Sequence, residues 1–194
     1  MSRALRIQAP DVLYHVGSRA VEKQRIFGAV PFDREWFIGR LARIVLSYEW
    51  RCHAYCVMGN HFHLVIDTPL ANLSAGMRDL KGSYAQWFNR YKPREGALFE
   101  RRFWYRIVQR ESHVFELARY VALNPVRAGL VRSPEEWPWS SYAATAGFER
   151  PPAFLHLDDV LSCFGGGVLA RGRFVDFVTD GLRGTTLSDE AAGV

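Results

Sequence analysis

The sequence contains no apolar run of about 18 residues, the length an α-helix needs to cross a bilayer, which argues against a membrane span. Its first ten residues, MSRALRIQAP, hold no stretch that could serve as the core of a secretory signal, so the expected location is the cytoplasm. Cysteine is scarce. Cys52, Cys56 and Cys163 are odd in number and widely spread, so a disulfide framework is not expected. Internal repeats and low-complexity segments are also absent. With 194 residues, 48% of them apolar and 23% charged, the chain can bury a sizeable core without disulfides or a structural metal. The length suits one domain, or one domain with a short appendage.

Charge is present but unevenly placed. The formal net charge is +5. Residues 1–120 hold 19 Lys and Arg against 11 Asp and Glu, whereas residues 121–194 hold 6 against 9. Residues 78–110 carry nine basic and three acidic groups, interleaved with Tyr84, Trp87, Phe88, Tyr91, Phe99, Phe103, Trp104 and Tyr105. Positive charge tracks a phosphate backbone and flat rings stack on unpaired bases, so the segment suits single-stranded nucleic acid. A solvated basic surface over core aromatics would give the same composition.

Periodicity supplies the elements. Residues 13–18 alternate and are β-prone, predicting a first strand. Residues 33–48 predict a helix, with Asp33 as N-cap and Phe37, Leu41, Ile44 and Val45 at helical spacing. Residues 53–58 and 61–67 read as two strands joined by Gly59-Asn60, a strong hairpin signal. A second helix is expected over 73–91, a strand over 103–109, and a third helix from a Ser112 cap to about Leu123. Pro125 disfavours helical geometry at the residue before it, which places Asn124 at that helix's end. Residues 135–142 read as an irregular, aromatic-rich link. Two short helices, 157–164 and 173–182, are expected around Gly165-Gly166-Gly167, after a boundary near Gly147, and the last dozen residues look disordered. The order strand, helix, hairpin, helix, strand, helix predicts an α+β fold with helices packed on an antiparallel sheet.

The candidate chemistry starts at His61-Phe62-His63. Side chains alternate along a strand, so both histidines share one face and Phe62 points to the other. Two imidazoles there can converge on one metal ion, or be two hydrogen-bonded structural residues. A zinc site from Cys52, His53 and Cys56 is disfavoured. No turn separates the cysteines, His53 takes the opposite strand face, and free buried cysteines are expected instead. On the third helix Tyr120 and Asn124 stand one turn apart, roughly 70–110° from the centre of the stripe formed by Val114, Leu117, Ala118 and Val121. By geometry they can be a nucleophile and a metal ligand, or a boundary tyrosine and a C-terminal cap. A water-activating hydrolase would need a carboxylate beside the histidines. Asp67 shares their strand face but lies at the strand's end. A non-catalytic nucleic-acid binder would account for the charge and the rings, but not for Tyr120 and Asn124 beside a histidine pair.

The segment Ala54-Tyr55-Cys56-Val57-Met58-Gly59-Asn60 leading into His61-Phe62-His63 resembles the HUH motif of single-strand transposases with one catalytic tyrosine. The run Arg119-Tyr120-Val121-Ala122-Leu123-Asn124-Pro125-Val126-Arg127-Ala128-Gly129-Leu130-Val131 is similar to the tyrosine-helix motif of one branch, the REP-associated tyrosine transposases. Tyr14-His15-Val16, Leu98-Phe99 leading to Arg102, and Trp137-Pro138-Trp139-Ser140-Ser141-Tyr142 match as well. The resemblance runs in order from about residue 3 to 147 and does not cover the tail.

It implies a ferredoxin-like (RRM-like) α+β core of the HUH endonuclease type over residues 1–147, with 148–194 as a partly helical extension. It implies Mg²⁺ or Mn²⁺ held by His61 and His63, a third ligand at Asn124, and Tyr120 as nucleophile. Mobile relatives carry glutamine where Asn124 stands, so the shorter side chain implies altered metal geometry. The implied partner is single-stranded DNA with a REP-like hairpin, and the implied state a monomer or a homodimer. Lys81, Arg102 and Arg106, with Trp104 among the interleaved rings, are the expected DNA contacts.

Overall fold

Four strands form one antiparallel sheet in the computed structural model, which describes residues 9–100, 102–108 and 110–183. They are β1 (Val12–Arg19), β2 (Arg51–Val57), β3 (His61–Thr68) and β4 (Trp104–Val108), in spatial order β2-β3-β1-β4. Helices α1 (Asp33–Ser47) and α2 (Leu73–Tyr91) connect β1 to β2 and β3 to β4. This is the ferredoxin-like arrangement of a split βαβ unit. After β4 come α3 (Arg110–Arg127), α4 (Tyr142–Ala146), α5 (Asp158–Ser162) and α6 (Gly167–Arg183).

Both faces of the sheet are covered, which explains why the central strands are buried along nearly their whole length. One face carries Tyr14, Val16, Phe62, Leu64 and Ile66 into a core completed by α1 and α2, through Phe37, Leu41, Met77, Leu80 and Tyr84. The other face carries Leu13, Ala54, Cys56 and Val65 beneath α3, and the same cluster takes in Phe174 and Val178 of α6. Tyr84 belongs to the first core: it is fully buried, stacks on Phe27, and its hydroxyl donates to the Ile26 carbonyl at 2.6 Å.

The hairpin forms where Gly59-Asn60 predicts it, closed by Met58 N–H on the His61 carbonyl at 2.9 Å. Tertiary bonds hold this loop. The Gly59 carbonyl accepts from Ile26 and Phe27, and that of Asn60 from Ala20. The outer edge of β2 is sealed by the chain's later segments. Val57 N–H donates to the Trp139 carbonyl, Ser141 exchanges bonds with Tyr55, and His156 N–H donates to the Cys52 carbonyl at 2.7 Å. The link over residues 135–142 is thus an edge cover, which limits unwanted strand pairing.

Four expectations need correction. Asp33 does not cap its own helix. Its buried carboxylate accepts from the N–H groups of Gly28, Ala29 and Val30 at 2.7–2.9 Å, bracing the preceding loop. The third helix begins at Arg110, so Ser112 lies inside it, and it continues through Asn124 and Pro125 to Arg127. The proline removes one helical bond. However, Ala128 and Leu130 N–H close on the carbonyls of Asn124 and Pro125, and Gly129, at φ +66°, supplies the left-handed stop. The last helix starts at Gly167 rather than near Arg173. Finally, a β-bulge between Cys52 and Ala54 makes His53 an extra residue, so Cys52 and Cys56 fall in opposite cores. The tail expected to be disordered, beyond residue 183, and Gln109 at the end of the predicted strand lie outside the described residues.

Candidate active site

β1 and β3 pair at the centre of the sheet, with Gly17 opposite His63 and Arg19 opposite His61. Alternation therefore gathers His15, His61 and His63 on the face beneath α3. The rings of His61 and His63 lie 5.0 Å apart, and those of His15 and His63 are stacked at 5.3 Å. Phe62, between the two motif histidines, is fully buried in the opposite core.

Hydrogen bonds assign the ring nitrogens. His61 Nδ1 is 2.6 Å from Asn60 Oδ1. A carboxamide oxygen only accepts, so Nδ1 carries the proton and Nε2 keeps its lone pair. His63 Nδ1 is 3.1 Å from His15 Nε2, and His63 Nε2 is buried with no hydrogen-bond partner. If His63 presents that nitrogen to a ligand, its Nδ1–H donates to His15. This is the usual way an outer residue fixes the orientation of a metal-binding imidazole. His15, 5% exposed, is a site residue that sequence reasoning did not single out.

All three imidazoles are held neutral. Burial, helped by the Arg106 guanidinium, pulls His15 down to about 4. Burial and Arg19 pull His61 down to about 4. His63 is pushed well below its usual value by burial, then by His15, His61 and Arg19. Neutral imidazole is the form that binds metal.

α3 brings the hydroxyl-bearing ring to this cluster. Tyr120 meets His15 and His63 edge-on, with centroids at 5.5 and 5.8 Å. One turn on, Asn124 Nδ2 donates to the Tyr120 carbonyl at 2.9 Å, so Oδ1 is the atom that could hold a metal. The Arg127 guanidinium lies 5.6 Å from the centre of the Tyr120 ring. Arg19, Arg106 and Arg127 thus surround the histidine–tyrosine cluster with positive charge. Arg19 and Arg127 were not picked out from the sequence, since only strand register and helix phase bring them there.

Of the expected DNA contacts, Arg106 lies opposite His15 on β4 and is exposed, as is Arg102 just before the strand. Trp104 forms the wall of the site, 4.8 Å from His15 and 5.3 Å from His63. It crosses β1 over Gly17, where a Cβ would come within 2.4 Å of the indole. Lys81 sits apart from this cluster, its ammonium donating to the Glu100 carbonyl at 3.1 Å. Asp67 is four residues beyond His63, about 13 Å along the strand, beside Arg51 and His53. It is too distant to complete a hydrolase site with the motif histidines.

A sequence model described as "Transposase IS200 like" matches residues 10–124, and the chain belongs to that family. A Haemophilus influenzae protein whose name reads REP-associated tyrosine transposase is 27% identical over 106 residues, 49% of this chain. The chain spans 60% of that relative's length. Among solved structures, a REP-associated tyrosine transposase bound to a REP hairpin superposes with a TM-score of 0.65 at 16% identity, over 82% of this chain and 93% of its own, which establishes the shared fold. A transposase-type protein of Deinococcus radiodurans aligns over 62% of this chain and 95% of its own, at 18% identity and a TM-score of 0.43. Among the described residues no helix is long and apolar enough to cross a membrane.

Proposed function

We propose that the chain cuts and rejoins single-stranded DNA beside a REP-like hairpin, through a covalent bond to Tyr120. One observation carries the reading: His63, whose buried Nε2 has no hydrogen-bond partner, has its ring 5.0 Å from that of His61 and 5.8 Å from that of Tyr120. Orphaned buried nitrogens are rare and call for a ligand. His61, His63 and Asn124 fit Mg²⁺ or Mn²⁺, with the mixed nitrogen and oxygen set favouring Mn²⁺. Such an ion, when bound, polarises the scissile phosphate and stabilises the departing oxygen.

The residues of the chain do the rest. Tyr120 Oη attacks phosphorus in line with the 3′ oxygen. The P–O3′ bond breaks, the phenolic proton is lost, and the leaving 3′ oxygen takes up a proton. The products are a 5′-phosphotyrosine link and a 3′ hydroxyl. Attack by a 3′ hydroxyl reverses the step, so cleavage and strand transfer share one intermediate. Arg19, Arg106 and Arg127 balance the phosphate charge, and His15 orients His63. Residues 1–147 carry this chemistry and 148–194 form the extension. DNA affinity rests on Arg102, Arg106, Lys81 and Trp104. Support for the hairpin comes from the relative solved with one. The reaction belongs in the cytoplasm, carried out by a monomer or a homodimer.

The test is denaturing electrophoresis of protein incubated with a 3′-labelled hairpin oligonucleotide and Mn²⁺. The parent chain gives a slow-migrating adduct. Tyr120→Phe, which removes one oxygen with little change in volume, gives none while retaining hairpin binding. An adduct surviving in Tyr120→Phe, or lost instead in Tyr84→Phe, overturns the assignment. Cleavage without any adduct would indicate a water nucleophile.

A further inference from the structure

The bulge in β2 has a chemical result at the far end of the sheet from Tyr120. It turns His53, 1% exposed, away from the regular alternation, toward Asp67 of β3 on one side and Asp159 and His156 on the other. Neither ring nitrogen of His53 has a hydrogen-bond partner. Each instead faces a carboxylate at slightly more than hydrogen-bond length. Nε2 is 3.7 Å from Asp67 Oδ2, and Nδ1 is 3.7 Å from Asp159 Oδ2. One ligand atom from each of His53, Asp67 and Asp159 lies within 4.8 Å of the others. His156 stands behind Asp159, with Nε2 3.8 Å from Oδ1 and its ring 5.5 Å from that of His53.

We propose that His53, Asp67 and Asp159 form a second metal site, separate from the histidine pair under Tyr120, that takes a zinc-class divalent cation and fastens α5 to the sheet. Only one ring nitrogen of His53 can ligate a given ion, and ligand atoms around a tetrahedral zinc ion at about 2.0 Å are about 3.3 Å apart. The three atoms, which lie within 4.8 Å of one another, therefore close onto the ion by up to about 1.5 Å, a shift that the partly exposed Asp159 side chain can make. One imidazole nitrogen with two carboxylate oxygens, and His156 able to complete or orient the set, suits zinc better than magnesium. The scaffold is already in place. Leu155 bridges to Cys52, and His156 N–H donates to the Cys52 carbonyl, so Asp159 on the first turn of α5 is delivered beside His53 by backbone bonds. Asp67 also lies 3.5 Å from Arg51, which offsets part of the carboxylate charge at the rim. Bulges often re-aim one side chain in this way.

The experiment separates the two sites. The full chain carrying both His61→Ala and His63→Ala is stripped with chelator and dialysed against Zn²⁺, and bound metal is counted. The expected result is one zinc per chain, together with a zinc-dependent rise in melting temperature. Asp159→Asn in the same background should weaken zinc binding at least tenfold and abolish the rise. Asp159 is 39% exposed, so this change leaves the fold intact where His53→Ala need not. No zinc bound by the histidine-pair variant overturns the proposal. Undiminished binding in the Asp159→Asn chain overturns it equally, because the ion then sits elsewhere.

Discussion

Lowering the pH from about 7.5 to 5.5 should leave metal binding at the His61–His63 pair almost unchanged. An imidazole with its ordinary value near 6.5 is only about one-tenth neutral at pH 5.5, so a pair of them would lose about 100-fold in affinity over that interval. Burial and Arg19 hold His61 near 4, and His63 lies well below its usual value, so both stay neutral at pH 5.5. The expected loss is less than about 1.2-fold, with a steep fall of up to about 100-fold per pH unit only once the pH drops below about 4. Asn124 does not titrate and adds no slope. The measurement is Mn²⁺ binding followed by the resonance of the free ion, in an Asp159→Asn chain so that only this pair contributes. A drop near 100-fold between pH 7.5 and 5.5 would show that the pair is solvated, and the geometric account of the site would fail. The same shifts fix the stability of the metal-free chain. The folded values lie below the unfolded ones, so the unfolded state takes up protons first as the solution is acidified. Stability is full above about pH 6.5 and is lost as the pH falls toward 4, with His15 alone contributing on the order of 3 kcal/mol.

Gly17→Ala should destabilise the fold and the site together. The new Cβ would lie 2.2 Å from the Phe62 carbonyl oxygen and 2.4 Å from the Trp104 indole, so strand backbone has to move. A loss of about 3 kcal/mol, or a fall of about 6–12 °C in Tm, is expected by calorimetry; a change under about 1 °C would mean that the indole does not cross that strand. Arg106→Ala and Arg102→Ala should each flatten the log–log salt dependence of hairpin binding by about one unit. Lys81→Ala should flatten it less, because its ammonium is engaged by the Glu100 carbonyl. Unchanged slopes for both arginines would place the DNA on another face.

Strands β1 and β3 and the first two helices were legible because each carries an uninterrupted period of its own. Residues 73–91 keep one apolar stripe from Leu73 to Phe88, and the helix spans the expected residues. The histidine pair was legible because strand alternation is local. What escaped the sequence depends on register or on contacts distant along the chain. Nothing near His15 shows that β1 will lie against β3, and so nothing near it shows that its Nε2 will meet His63 Nδ1. The bulge at His53 breaks the parity that assigned faces to Cys52 and Cys56, and no glycine or proline marks it. Pro125 was read as a stop because its local preference is strong. The buried face of α3 and the closing bonds from Ala128 and Leu130 outweigh that preference.

The sealing of β2 by the chain's own later segments has a practical meaning for anyone dividing this protein. A fragment ending at residue 147 would keep the histidines, Tyr120 and the Ser141 bonds. It would lose the strap at residues 155–156 and the α6 side chains Phe174 and Val178 that close the core over α3. Such a piece would present open amide groups on an edge strand next to bared apolar surface, the combination that drives chains to associate with one another rather than with DNA.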